Sequence, residues 1–294
     1  MKTIAITILL FLSLCLNSQN INVEITKNTG SPYLLGKINK AGLEGDNYKE
    51  WFNKNFNNYA PKSTVIKAIE SALKNYEITI FMGTWCGDSK REVPRFYKIL
   101  EACNYPMNQL TVVALSRQSD SYKQSPQHEE AGLNIHRVPT FIFYKDGEEV
   151  NRIVEHPVNS LEDDIQNIVT VNDYKSNYQI VAEVEAILKS KGLKGFKKGK
   201  KKLLKKYAGN LESMYELNTY AHILFTTERE EEAVEVLKLN TKLFPDESRA
   251  FASLANKLHV MGKSKKALKY YKMALELDPE NEQIKKNITA LKSI

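Results

Sequence analysis

Cys86 stands in the run Trp85-Cys86-Gly87-Asp88-Ser89, where a thiol and a hydroxyl are separated by two residues. A cysteine thiolate attacks disulfide sulfur, and a second thiol at Ser89 would close a dithiol cycle. A serine hydroxyl cannot do so. The chemistry open to this spacing is therefore capture of a disulfide or a thiol at Cys86, with release left to a thiol from elsewhere.

Two elements must position that sulfur. Glu77 to Gly83 (EITIFMG) is rich in β-branched and aromatic residues and predicts a buried strand. Ser89 to Ala102 places Val93, Phe96, Tyr97 and Leu100 on one face of a helix. Cys86 then falls at the strand-to-helix junction, where unpaired N–H groups and the positive dipole end favour a thiolate. Lys90 and Arg91 add positive charge in the first turn and Asp88 opposes them.

With these residues the chain resembles the thioredoxin family. A thioredoxin follows its active-site Trp-Cys-Gly-x-Cys with a Lys and then a Pro in the same helix, and here Lys90 and Pro94 stand in those places. Val138-Pro139-Thr140, the run Phe141 to Tyr144 and Lys145-Asp146-Gly147 match the family's cis-Pro segment and the strand and turn after it. Gln109 to Leu115 supplies a central strand, Glu148 to Glu155 the other arm of a hairpin, and Leu161 to Val169 a closing helix.

The resemblance implies an α/β thioredoxin-like domain over residues 61–172, a mixed sheet flanked by helices. It assigns Cys86 as nucleophile and Ser89 to the second catalytic position, and it places Trp85, Gly87, Asp88, Val138, Pro139 and Thr140 against a substrate. Two departures weaken an ordinary dithiol reductase. Ser89 replaces the resolving cysteine, and Ile80 stands where family members often carry a buried proton-accepting Asp. Cys103 does not repair the first: along an unbroken helix it lies roughly 25 Å from Cys86, against the 7 Å or so a disulfide tolerates between Cα atoms. It is expected to be a buried free thiol.

The first 19 residues, with Lys2, an apolar run from Ile4 to Leu16 and then Asn17-Ser18-Gln19, have the form of a secretory signal peptide. The run is too short for a membrane span. Leu14 before Cys15 is larger than lipoprotein signals usually allow. The expected location is exported, periplasmic or extracellular, where disulfides persist. Residues 20–60, with Trp51, Phe52, Phe56 and Tyr59, read as a helical N-terminal extension.

A second domain follows. Ala221 recurs as Ala255, Ala233 as Ala267, Pro245 as Pro279 and Leu224 as Leu258, each 34 residues on. This spacing resembles the tetratricopeptide repeat, in which small residues let paired helices approach and Pro ends the second helix. The repeats Met214 to Glu247 and Ser248 to Asn281, with a cap helix from Glu282, make residues 213–294 an all-α domain whose implied role is holding a protein or peptide partner.

Residues 173–212 read as a basic helical linker. The net charge of +7 concentrates there, since Lys189 to Lys206 contains no acid. A solvated helical face with Leu193, Phe196, Leu203, Leu204 and Tyr207 turned inward accounts for it, and contact with an anionic membrane surface is a second reading. No nucleic-acid partner is expected, for no recognition motif accompanies the lysines. The five histidines show no metal-ligand spacing with the cysteines, so neither metal nor cofactor is expected. His136, just before Val138-Pro139, could approach Cys86, though loop histidines are ordinarily solvated. Two functions remain open: an exported thiol:disulfide oxidoreductase acting through Cys86 alone, or a non-catalytic binding module that keeps the fold.

Overall fold

The computed structural model describes residues 20–26 and 30–292. The leader reading and Cys15 lie outside these residues. Six strands form one sheet: β1 (Val23–Ile25), β2 (Tyr33–Ile38), β3 (Glu77–Met82), β4 (Leu110–Ala114), β5 (Thr140–Lys145) and β6 (Glu148–Val154), in the order β1-β2-β4-β3-β5-β6. β3 runs parallel to β4 and antiparallel to β5, so the sheet is mixed as expected. The β5–β6 hairpin turns at Asp146-Gly147, both at positive φ, a conformation that favours these two residue types.

The expectation of a helical extension over 20–60 is corrected by β1 and β2. They form a hairpin that joins the sheet through antiparallel pairing of β2 with β4. Only then come α1 (Lys40–Leu43) and α2 (Lys49–Asn57). The aromatic residues noted in the sequence do pack on the domain: Phe52 is buried, and Trp51, Phe56 and Tyr59 lie against the same core.

Alternation along β3 divides the sheet's two faces. Ile78, Ile80 and Met82 point into a core shared with α2, α3 (Ser63–Leu73), α4 (Gly87–Ala102) and α5 (Leu161–Gln166). Phe81 points the other way, into a smaller cluster with Val113, Leu115 and Ile142. Among the described residues no helix of the thioredoxin-like part contributes to that second cluster. The long connection from β4 to β5 does, through Ile135 and Val138.

The helical part begins with α6 (Gln179–Tyr207), bent at Gly192, whose φ of 60° breaks the helical path. α7 (Tyr215–Thr226) pairs with α8 (Glu230–Leu243), α9 (Ser248–Val260) with α10 (Ser264–Leu277), and α11 (Glu282–Lys292) closes the stack. Ala221, Ala233, Ala255 and Ala267 are all fully buried, as close helix packing requires. α6 is more than a linker, because Ile180, Val184, Phe196 and Leu203 belong to the same core as the repeats. Leu193, Phe196, Leu203, Leu204 and Tyr207 do turn inward. Lys200 and Lys206 pair with Glu235 and Glu183. Among the described residues no helix is long and apolar enough to cross a membrane.

Candidate active site around Cys86

Cys86 is the N-cap residue of α4, partly exposed at the end of β3. Its backbone N–H donates to Gly83 O at 2.9 Å, closing the turn between strand and helix. Across from it the Val138–Pro139 peptide bond is cis, and the Cys86 thiol donates to Val138 O at 3.1 Å. Thr140 Oγ1 donates to Arg137 O at 2.7 Å and Glu155 N–H to Pro139 O at 2.7 Å. These bonds fix the cis-Pro segment from both sides, and hence the position of the carbonyl that meets the sulfur.

The turn depends on close packing. A Cβ on Gly83 would meet the Trp85 ring at 2.5 Å, so only glycine lets the indole lie back over the strand. Trp85 Nε1 then donates to Leu115 O at 2.9 Å. Thr84 Oγ1 accepts from Leu34 N at 3.1 Å, tying the motif to β2.

α4 has its own requirement. Pro94 lacks an N–H, which leaves Lys90 O without its intrahelical donor. Asn55 of α2 supplies one, its Nδ2 donating to Lys90 O at 3.0 Å. Phe96, stacked on Phe141 with ring centroids 4.5 Å apart, anchors the same helix to β5.

Ser89 is fully buried, and its Oγ accepts from Gly83 N at 3.2 Å. The hydroxyl that replaces the resolving thiol is thus committed to the turn and faces no solvent. Asp88 is paired with Arg91 at 2.8 Å, which absorbs its charge next to Cys86. Gly87 opens the helix with nothing within 4 Å of where its Cβ would be, leaving space beside the sulfur.

The arrangement of cysteine, cis-Pro and mixed sheet agrees with a direct comparison: residues 39–171 match the family model described as Thioredoxin. This part of the chain is a thioredoxin-like domain. Residues 248–281 match the Tetratricopeptide repeat, the second of the two units read from the 34-residue spacing. No curated protein matches the chain.

The β4–β5 connection links this domain to the repeats. Tyr122 lies against Trp85, ring centroids 5.7 Å apart, and against His222 of α7 at 6.0 Å. One tyrosine thereby joins the cysteine motif to the repeats. Beside it, a cleft of about 290 Å³ between α7 and α9 is lined by Asn218, Thr219, His222, Ser253, Asn256 and Lys257. Lys257 Nζ donates to His222 Nδ1 at 3.1 Å, and burial lowers the pKa of both groups.

The same connection anchors the two domains. Glu185 of α6 receives Asn134 Nδ2 at 2.7 Å, Arg229 Nη2 at 3.1 Å and the Tyr220 hydroxyl. Burial raises the carboxyl's pKa, but these donors outweigh it and leave it below its ordinary value. Glu155 likewise takes Arg137 at 3.1 Å and the Tyr178 hydroxyl.

His136 does not sit in solvent and does not pair with Cys86. It is buried edge-on against Tyr178 and Tyr220, at 5.6 and 6.1 Å. Burial pulls its pKa down to about 3, so the ring is neutral. The sequence reading missed Tyr122, Lys123 and Asn55. The first two sit in a polar run that resembles surface loop, and Asn55 matters through Lys90 O, 35 residues on, which Pro94 leaves without its helical donor.

Among the described residues no group of three His, Cys, Asp or Glu side chains is placed to hold a metal. Cys103, at the far end of α4, is buried in the main core, where burial first and then Glu70 push its thiol up to about 11.

Proposed function

We propose that the protein is a thiol:disulfide oxidoreductase acting through the single nucleophile Cys86, exported by its leader, with the repeats holding the protein partner. The observation that carries this reading is the Cys86 thiol held 3.1 Å from the carbonyl before cis-Pro139, at the N-terminus of α4. A backbone segment laid along the cis-Pro edge would bring a substrate disulfide to that sulfur. The Cys86 thiolate attacks one substrate sulfur, an S–S bond forms between them, and the other substrate sulfur departs with the electron pair. Nothing within the motif can attack the mixed disulfide, because Ser89 is buried and oxygen-bearing. An external thiol completes the exchange.

The repeats support a partner-holding role, since a polar cleft adjoins the cysteine motif through Tyr122. The buried, hydrogen-bonded Ser89 favours a second reading, a binding module in which Cys86 does no chemistry. Purification of the protein from its native envelope without reductant separates them. Partners attached through Cys86 and absent from Cys86→Ala support the oxidoreductase. Partners retained by Cys86→Ala but lost from Lys257→Glu, which reverses the charge in the cleft, make the repeats the functional element.

A further inference from the structure

Lys123 presents an energetic problem. It is 5% exposed, and an ammonium removed from water costs several kcal/mol unless an anion or a full set of acceptors replaces the solvent. Among the described residues no carboxylate lies within ion-pair distance of it. Its Nζ donates to His136 O and stands 5.1 Å from the Tyr122 ring centroid.

The charged and titratable groups facing it do not resolve the problem by themselves. Arg137 repels it, His136 is neutral, and His222 of α7 bears no charge that would attract it. Glu155 attracts it but is already engaged by Arg137 and the Tyr178 hydroxyl. The remaining group is Cys86, the one neighbour that would oppose the ammonium with an uncommitted negative charge when it acts as a thiolate. Geometry agrees, for the Cys86 thiol meets the carbonyl of Val138 and the Lys123 amine that of His136, two residues earlier on the same segment.

We propose that Lys123 is the charge partner of Cys86: its ammonium stabilises the attacking thiolate and, once the sulfur is neutralised in a mixed disulfide, surrenders its proton to the departing substrate thiolate. This rests on the single-cysteine reading above. The step balances. Cys86 Sγ forms the new S–S bond, the substrate disulfide breaks, the leaving sulfur keeps the bonding electrons, and the proton it needs comes from an ammonium that has just lost its counter-charge. Burial, followed by Arg137, already lowers the amine to about 8, where a proton can be held and released near neutral pH. Because it gives its proton to the departing sulfur, Lys123 acts in this step as a catalytic acid.

The test uses the full-length protein with Cys103→Ala, so that Cys86 is the reacting thiol. Alkylation by iodoacetamide at pH 7 is expected to slow about tenfold in Lys123→Met, the equivalent of one pK unit of charge stabilisation, and to recover in Lys123→Arg. Independently, NMR of the ¹⁵Nζ of Lys123 should show its titration midpoint falling in Cys86→Ala and in the protein carrying glutathione on Cys86. A merely structural lysine would not move in that experiment, which leaves Lys123 itself intact. An unchanged Lys123 midpoint in both forms, or a Lys123→Met protein that alkylates at the parental rate, overturns the assignment. Failure of the single-cysteine reading shows separately, as a protein with Lys123 present that forms no glutathione adduct.

Discussion

The two ends of α4 carry the two cysteines among the described residues, and the helix treats them in opposite ways. At its N-terminus Cys86 is partly exposed, faces the cis-Pro carbonyl, and has a buried amine within electrostatic reach. At its C-terminus Cys103 is fully buried among apolar side chains, its thiol pushed up to about 11. Both are thiols on one rigid element. The difference shows that reactivity is set by what surrounds a sulfur and by which dipole end it meets, not by its presence in the sequence.

Thiol labelling gives the sharpest way to break this contrast. At pH 8 a thiol titrating at about 11 holds roughly one thiolate in a thousand, and Cys103 is also shielded. Iodoacetamide should therefore modify Cys86 at least about a hundredfold faster than Cys103, as read by peptide mass spectrometry of the native protein. Comparable rates would mean that the C-terminal end of α4 opens far more readily than its packing implies.

His136 tests the loop side of the site. Its ordinary value of 6.5 drops to about 3 in the folded protein. Between these values the unfolded chain binds a proton that the folded chain refuses. Its contribution to stability is thus whole above pH 6.5 and is lost as the pH falls toward 3, at about 1.4 kcal/mol per pH unit. Denaturant melts of His136→Leu against the parent should show that slope removed; parallel pH dependences would place the ring in solvent.

A smaller effect concerns the helix that joins the two cysteines. Asn55→Ala leaves Lys90 O without a donor and should cost about 1 kcal/mol in urea unfolding. A neutral substitution would mean that water replaces the amide at no cost.

The sequence revealed the parts of the molecule whose signals are local. The Trp-Cys-Gly motif, Pro94, Val138-Pro139-Thr140 and the 34-residue alternation of Ala and Pro each specify conformation within a few residues, and each appears where it was expected. β1 and β2 were missed because β1 has only three residues at the sheet's edge and β2, interrupted by Gly36, is made a strand by pairing with β1 and β4 rather than by its own pattern. The burial of Lys123 and His136 was illegible for a stronger reason. It depends on a connection held by α6, α7 and α8, as in the contact of Arg229 with Asn134 across 95 residues. No local periodicity encodes such a partner.

Incubation of the full-length protein with glutathione disulfide, followed by intact-mass and peptide analysis, tests the central claim most directly. A single glutathione should attach at Cys86, remain after the oxidant is removed because Ser89 cannot displace it, and leave only when an external thiol is added. Absence of the adduct, or its release with no added thiol, would contradict a single-cysteine mechanism.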